Sequence, residues 1–222
     1  MQREHACDIF SLLYREYVHD DSRLCFLDFE NPFEILVLTI LSAQTTDATV
    51  NRIRDRLFLR YPDARALAAA DVGEVEEIIR PTGFYHTKAR NIIAASRCIV
   101  ERFDGRVPAT MTDLISLPGV GRKTANIVLN HAYGIHEGVA VDTHVKRLSR
   151  RLGFTGETDP DRIEQALLSL FPPSAWQYLN YLLISHGRRI CTARHPKCGE
   201  CILSHLCPSA RRDDREEMPT NR

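Results

Sequence analysis

Four cysteines crowd the end of the chain, Cys191, Cys198, Cys201 and Cys207, in a C-x6-C-x2-C-x5-C pattern. Thiolates this closely spaced can wrap one metal centre, and zinc and a [4Fe–4S] cluster are both chemically possible. Spacing alone favours zinc, the commoner structural metal held by four cysteines. The remaining three, Cys7, Cys25 and Cys98, are scattered and read as small buried hydrophobes. A second concentration of chemistry lies upstream. The segment Leu117-Pro118-Gly119-Val120-Gly121 is a tight turn, and Arg122 and Lys123 follow it directly. Gly119 and Gly121 permit positive φ and a close backbone approach, and the exposed N–H groups that follow suit a phosphate. Lys123 can neutralise such a phosphate; unprotonated, its amine is a nucleophile able to form a Schiff base with a sugar aldehyde carbon. Asp142, in the run Val141-Asp142-Thr143-His144, stands where a helix N-cap belongs. A carboxylate there is also suited to stabilising an oxocarbenium-like sugar or taking a proton.

The elements that must position these groups read as helices nearly throughout. Asn31-Pro32-Phe33-Glu34 supplies an N-cap, a proline at the first helical position and an acid at the capping-box position. The apolar run 35–41 after it predicts a helix buried on most sides. Thr46 caps a second helix that ends before Tyr61-Pro62, and further helices are expected over 74–80 and 87–103. Short helices over 112–116 and 122–133 flank the glycine turn. Asp142 starts a helix that stops at Gly153, Asp159-Pro160 starts another, and a last long one runs from Ser174 to a stop at Gly187. No alternating apolar and polar run is flanked by hairpin turns, so sheet is minimal. The tail over 209–222 has almost no apolar residues and is expected to fray.

The formal net charge is zero, from 29 Lys+Arg and 29 Asp+Glu. Taken whole, that argues against a nucleic-acid partner. The zero conceals a gradient, however. Residues 1–79 hold 8 Lys+Arg against 15 Asp+Glu, residues 80–153 hold 12 against 5, and residues 154–222 hold 9 of each. A polyanion responds to the local field, and the basic middle contains the turn, Lys123 and Asp142. No signal-peptide pattern opens the chain and no apolar stretch is long enough for a bilayer, so an intracellular, soluble protein is expected.

The runs LPGVGRKTANIVLN (117–130) and AVDTHVKR (140–147) resemble the helix-hairpin-helix DNA glycosylases, and most closely the endonuclease III branch. The similarity extends from NPFEILVLTILSAQTTD (31–47) through TGFYHTKARNI (82–92) to the terminal cysteines. It implies an all-α fold with two helical domains flanking a DNA-binding cleft. A central domain of about 25–135 carries the hairpin motif at about 112–133, and residues 1–24 return to pack with 136–208. The resemblance also implies a [4Fe–4S] cluster on the four cysteines in place of zinc. It makes Lys123 the nucleophile and Asp142 its partner carboxylate across the cleft. Gln44 and Phe84 occupy the family's gap-filling positions, the latter where an aliphatic residue is usual. Leu117, Gly119, Val120, Gly121 and Arg122 form the DNA-docking hairpin. Arg194 and Lys197, in the cysteine loop, are placed to meet phosphates, and His144 either lines the base pocket or packs.

The activity so implied is a monomeric base-excision glycosylase with abasic-site lyase activity, removing oxidised pyrimidines from duplex DNA without a membrane partner. In a prokaryote it would work in the cytoplasm and nucleoid. A mismatch thymine or uracil glycosylase on the same scaffold is the alternative within the class. A non-catalytic hairpin clamp and a zinc-stabilised interaction domain stand outside it.

Overall fold

The computed structural model describes residues 3–20 and 24–210, and every regular element among them is helical. Most of the expected fraying tail, 211–222, lies outside the described residues. In chain order the α-helices are α1 (Arg3–Tyr17), α2 (Pro32–Leu41), α3 (Asp47–Arg60), α4 (Ala64–Ala68), α5 (Val72–Ile79) and α6 (Tyr85–Phe103). They continue as α7 (Met111–Ile115), α8 (Arg122–Tyr133), α9 (Thr143–Arg151), α10 (Pro160–Leu170) and α11 (Pro173–Arg189). Two units result, one of residues 23–140 and one of residues 1–22 with 141–222.

In the first unit, local capping chemistry starts the central helix. The Glu34 N–H donates to the Asn31 side chain at 3.0 Å, and the Glu34 carboxylate accepts from the Asn31 amide at 3.2 Å and the Glu30 N–H at 3.1 Å. Every residue of α2 from Phe33 to Leu41 is buried, and the helix packs against α3, α6 and α8. Each fully buried Leu or Ile contributes roughly 1.5–3 kcal/mol, so this one apolar run anchors the unit. Glu34 is buried with it, and Arg54 of α3 satisfies the carboxylate through donors at 2.7 and 3.0 Å. Thr46 caps α3 as expected, its hydroxyl accepting from the Thr49 N–H at 3.2 Å.

In the second unit, α11 packs against both α1 and α9. Phe10 and Tyr14 of α1 meet Phe171 and Tyr178 in an aromatic cluster with ring centroids 5.0–6.4 Å apart. The expected stop at Gly187 is not where α11 ends; the helix runs on to Arg189. Glycine is there for packing rather than termination. A Cβ at position 187 would lie 2.8 Å from His144 Nδ1 and 2.9 Å from Arg147 Nη2, both on α9.

Candidate functional site

Thr110 caps α7 by accepting from the Asp113 N–H at 3.1 Å, and the glycine turn then reverses the chain into α8. Leu117 and Val120 turn their side chains into the core, and the Val120 N–H closes the turn on the Leu117 carbonyl at 3.1 Å. Their side chains are therefore not available to a ligand. Gly119 alone uses left-handed backbone, with φ +77°, and it rests on Asn91 of α6 so closely that a Cβ would come within 2.9 Å. Gly121 corrects the expectation of a second positive φ: it is extended, at φ −99° and ψ 176°. A Cβ there would meet nothing within 4 Å, so the space beside Gly121 is open to whatever approaches α8. No side chain caps α8. Its first N–H groups lack intrahelical acceptors and carry the positive end of the helix dipole, which together favour an anion. Lys123, the second residue of that helix, is exposed, and Arg122 beside it is half-buried.

Gln44 and Phe84 share a property that their residue types do not announce. Each has left-handed backbone, at φ 55° and 48°, and among the described residues only Asp104 joins them as a non-glycine. Asp104 is the C-cap of α6, an ordinary place for that conformation. For a glutamine and an aromatic residue the geometry costs about 1–3 kcal/mol, and such strain gathers at functional sites. Gln44 is exposed and Phe84 is 69% exposed. Beneath Phe84, the buried Lys88 ammonium donates to the Thr82 carbonyl at 2.8 Å, holding the start of the strained turn. Burial lowers the Lys88 pKa from its ordinary value.

In the other unit Asp142 is the N-cap of α9, its Oδ1 accepting from the Val145 N–H at 2.8 Å. His144 is half-buried, and its Nδ1 stands 3.2 Å from Arg147 Nη2 one turn along the same helix. Two arginines absent from the sequence-based candidates fasten the cysteine loop to α9. Arg147 Nη2 donates to the carbonyls of Gly187 and Cys191, both at 3.0 Å. Arg151 donates to Cys191 Sγ at 3.3 Å and to the carbonyls of Thr192 and Ala193 at 2.7 and 2.8 Å. Burial lowers the Arg147 pKa, against the opposing pull of Cys191. His186 stands between Tyr17 Oη, 3.0 Å from Nδ1, and Cys201 Sγ, 3.4 Å from Nε2. Burial brings that ring down to about 4, so it is neutral at pH 7. Carbonyl acceptors leave no mark in a sequence, so the roles of Arg147 and Arg151 carry no signal there.

Cys191, Cys198, Cys201 and Cys207 line one cavity of about 190 Å³, with Arg151 and His186 on its wall. Burial raises the thiols of Cys201 and Cys207, and the neighbouring cysteines push the same way. Among the described residues no three His, Cys, Asp or Glu side chains gather as tightly as the ligands of a single ion. Four soft donors set around one cavity, with Arg151 donating to Cys191 Sγ, fit an iron–sulfur centre. Arg194 is exposed at the rim of the loop, and Lys197 stands 3.8 Å from Glu200.

Residues 37–173 match the family described as HhH-GPD superfamily base excision DNA repair protein, and residues 191–207 match the iron–sulfur binding domain of endonuclease III. The chain is 54% identical over 209 residues to Endonuclease III of Synechocystis sp., covering 94% of each. It belongs to the endonuclease III family. Its cofactor is accordingly a [4Fe–4S] cluster, which displaces the zinc favoured by spacing alone. Endonuclease III of Escherichia coli strain K12 is 40% identical over 93% of this chain and 96% of its own. A trapped endonuclease III–DNA covalent intermediate superposes with a TM-score of 0.88 at 37% identity, over 95% of this chain and 97% of that one. A thermostable thymine-DNA glycosylase reaches 0.83 over 93% and 97%, but at 24% identity it shares the fold alone. Among the described residues no helix is long and apolar enough to cross a membrane.

Proposed function

We propose that Lys123 is the nucleophile and Asp142 the electrostatic partner in this base-excision DNA glycosylase and abasic-site lyase, and that its substrates are oxidised pyrimidines in duplex DNA. The observation that carries the reading is the setting of Lys123: an exposed amine in the first turn of an uncapped helix, beside the open space at Gly121. A phosphate docked on the N–H groups of that turn delivers the neighbouring sugar to the amine. Such contacts position the strand without reading its sequence.

The chemistry then follows from the groups present. The Lys123 amine attacks C1′, the bond from C1′ to the base breaks, and the base leaves with its electron pair and takes up a proton. Positive charge grows on the sugar as this happens, and a carboxylate at Asp142 lowers its energy. Opening of the sugar ring leaves an imine between C1′ and Nζ. Loss of the C2′ proton and cleavage of the C3′–O bond cut the strand on the 3′ side, and water returns the free lysine. Chemistry at C1′ needs the nucleotide out of the stack. The exposed, left-handed Gln44 and Phe84 are the side chains that fill the gap, a use that accounts for their strain. The hairpin over about 112–133 docks the central domain of about 25–135, and Arg194 and Lys197 add phosphate contacts from the domain of 1–24 and 136–208. Cys191, Cys198, Cys201 and Cys207 would hold the cluster, which supplies structural cross-linking of the loop and no electron to base removal. The thymine-DNA glycosylase shares no more than the fold, so oxidised rather than mismatched pyrimidines are the favoured substrate. In a prokaryote the work belongs in the cytoplasm and nucleoid.

Borohydride reduction on a duplex with an abasic site tests the assignment. Wild type is expected to form a covalent adduct that Lys123→Ala abolishes, and an adduct of equal yield in that variant would refute it. Release of thymine glycol, set against thymine from a G·T mismatch, tests the substrate class.

A further inference from the structure

Helix α9 carries more positive charge than its packing uses. Arg147 and Arg151 spend their donors on the carbonyls of Gly187, Cys191, Thr192 and Ala193. Lys146 and Arg150 make no such bonds and form no ion pair among the described residues. With Thr143, Arg147, Arg151 and Thr155 they line an open groove of about 730 Å³, and no acidic side chain among the described residues lines it. Thr143, Lys146 and Arg150 fall at i, i+3 and i+7 and so share one face of the helix. At 1.5 Å per residue that row is about 10 Å long. Lys146 and Arg150 stand one turn apart, about 6 Å along the helix, which suits two neighbouring phosphates of one strand. The negative end of the helix dipole amounts to about half a charge, which the cations of the groove outweigh.

We propose that this groove is a phosphate-backbone subsite for duplex DNA, starting at the Asp142 end of α9 and distinct from the glycine hairpin and the cysteine loop. The proposal rests on duplex DNA being the substrate. Two hydroxyls, Thr143 and Thr155, add neutral donors beside the two available cations. None of these groups reads a base edge, so the subsite strengthens binding uniformly across sequences.

Binding of the cluster-loaded protein to a duplex carrying a tetrahydrofuran abasic-site analogue, measured from about 50 to 200 mM salt, tests it. Each phosphate-bound cation adds about 0.9 to the salt slope, so Lys146→Gln with Arg150→Gln should lower the slope by about 1.8. Affinity of the double variant then falls about tenfold less across that range than wild type. Lys146→Arg with Arg150→Lys should restore the wild-type slope. The visible absorbance of the cluster reports an intact α9 and cysteine loop. If the double variant loses it, the single variants carry the test at about 0.9 each. A double variant that keeps the wild-type slope, while wild type still gives the borohydride adduct, overturns the subsite alone. A wild type that neither binds nor gives the adduct overturns the function and the subsite together.

Discussion

Replacing Gly187 with alanine sets two elementary effects against each other. Alanine is favoured over glycine inside a helix by about 1 kcal/mol, and position 187 is inside α11. Intrinsic preference therefore predicts a more stable protein. The structure predicts the reverse, because the new Cβ would sit 2.8 Å from His144 Nδ1, 2.9 Å from Arg147 Nη2 and 3.2 Å from Leu148 Cδ1. Overpacking of this kind costs about 1–3 kcal/mol. Arg147 must also give way, although its Nη2 holds the carbonyls of Gly187 and Cys191. Losing one hydrogen bond from a charged donor costs about 1.5–3 kcal/mol more. Set against the propensity gain, the balance is a loss of about 3 kcal/mol. At 2–4 °C per kcal/mol for a chain of this length, the Tm should fall by about 6–12 °C. Thermal denaturation followed by circular dichroism measures the shift on the cluster-loaded protein. Visible absorbance should decay faster in the variant, since the Cys191 carbonyl loses its bond from Arg147. A Tm that rises by the few degrees expected from propensity alone would refute the close packing of α11 on α9.

Two further outcomes follow from buried charge. Arg54→Met leaves the Glu34 carboxylate, 7% exposed, without its bidentate partner, and the urea midpoint should fall by the equivalent of about 3–5 kcal/mol; a smaller loss in the double variant with Glu34→Gln would locate the cost in the stranded carboxylate. Burial, with the charge of His136 second, brings His131 from 6.5 down to about 4, so folding favours the neutral ring. That contribution is whole above pH 6.5 and is lost as the pH falls toward 4, up to about 3 kcal/mol at 1.4 kcal/mol per unit. Urea denaturation of wild type against His131→Gln across this window should therefore show the wild type losing the more in acid, and parallel profiles would refute the burial.

Capping chemistry is local, and the elements it starts were legible: Asn31, Thr46 and Asp142 each cap the helix expected of them. Helix α4 was missed because five residues beginning Ala-Arg-Ala carry no periodicity, and only Asp63 marks the start. Helix α6 begins at Tyr85 rather than at Thr87, since Phe84 serves as a left-handed N-cap that residue type would not suggest. Gly187 looked like punctuation because the neighbour that demands a glycine lies 43 residues away on α9. The same distance problem hid Arg147, Arg151 and His186, whose partners are carbonyls and a thiol remote in sequence. Lys123, Asp142 and the four cysteines, by contrast, carry their chemistry in their own functional groups.

The unit of residues 1–22 and 141–222 has a history written into its connectivity. Phe10 and Tyr14 of helix α1 pack on Phe171 and Tyr178, and Tyr17 meets His186. Some 118 residues of the other unit intervene. At about 5–20 residues per second, the ribosome takes roughly 6–24 s to make them, and the intervening unit is complete before α11 exists. The nascent chain therefore carries α1 as an orphaned amphipathic segment, exposed to chaperones and proteases, until α11 has been made. Iron and sulfur can be loaded only after the cysteine loop has emerged, so α1, made before the intervening unit, is housed after it.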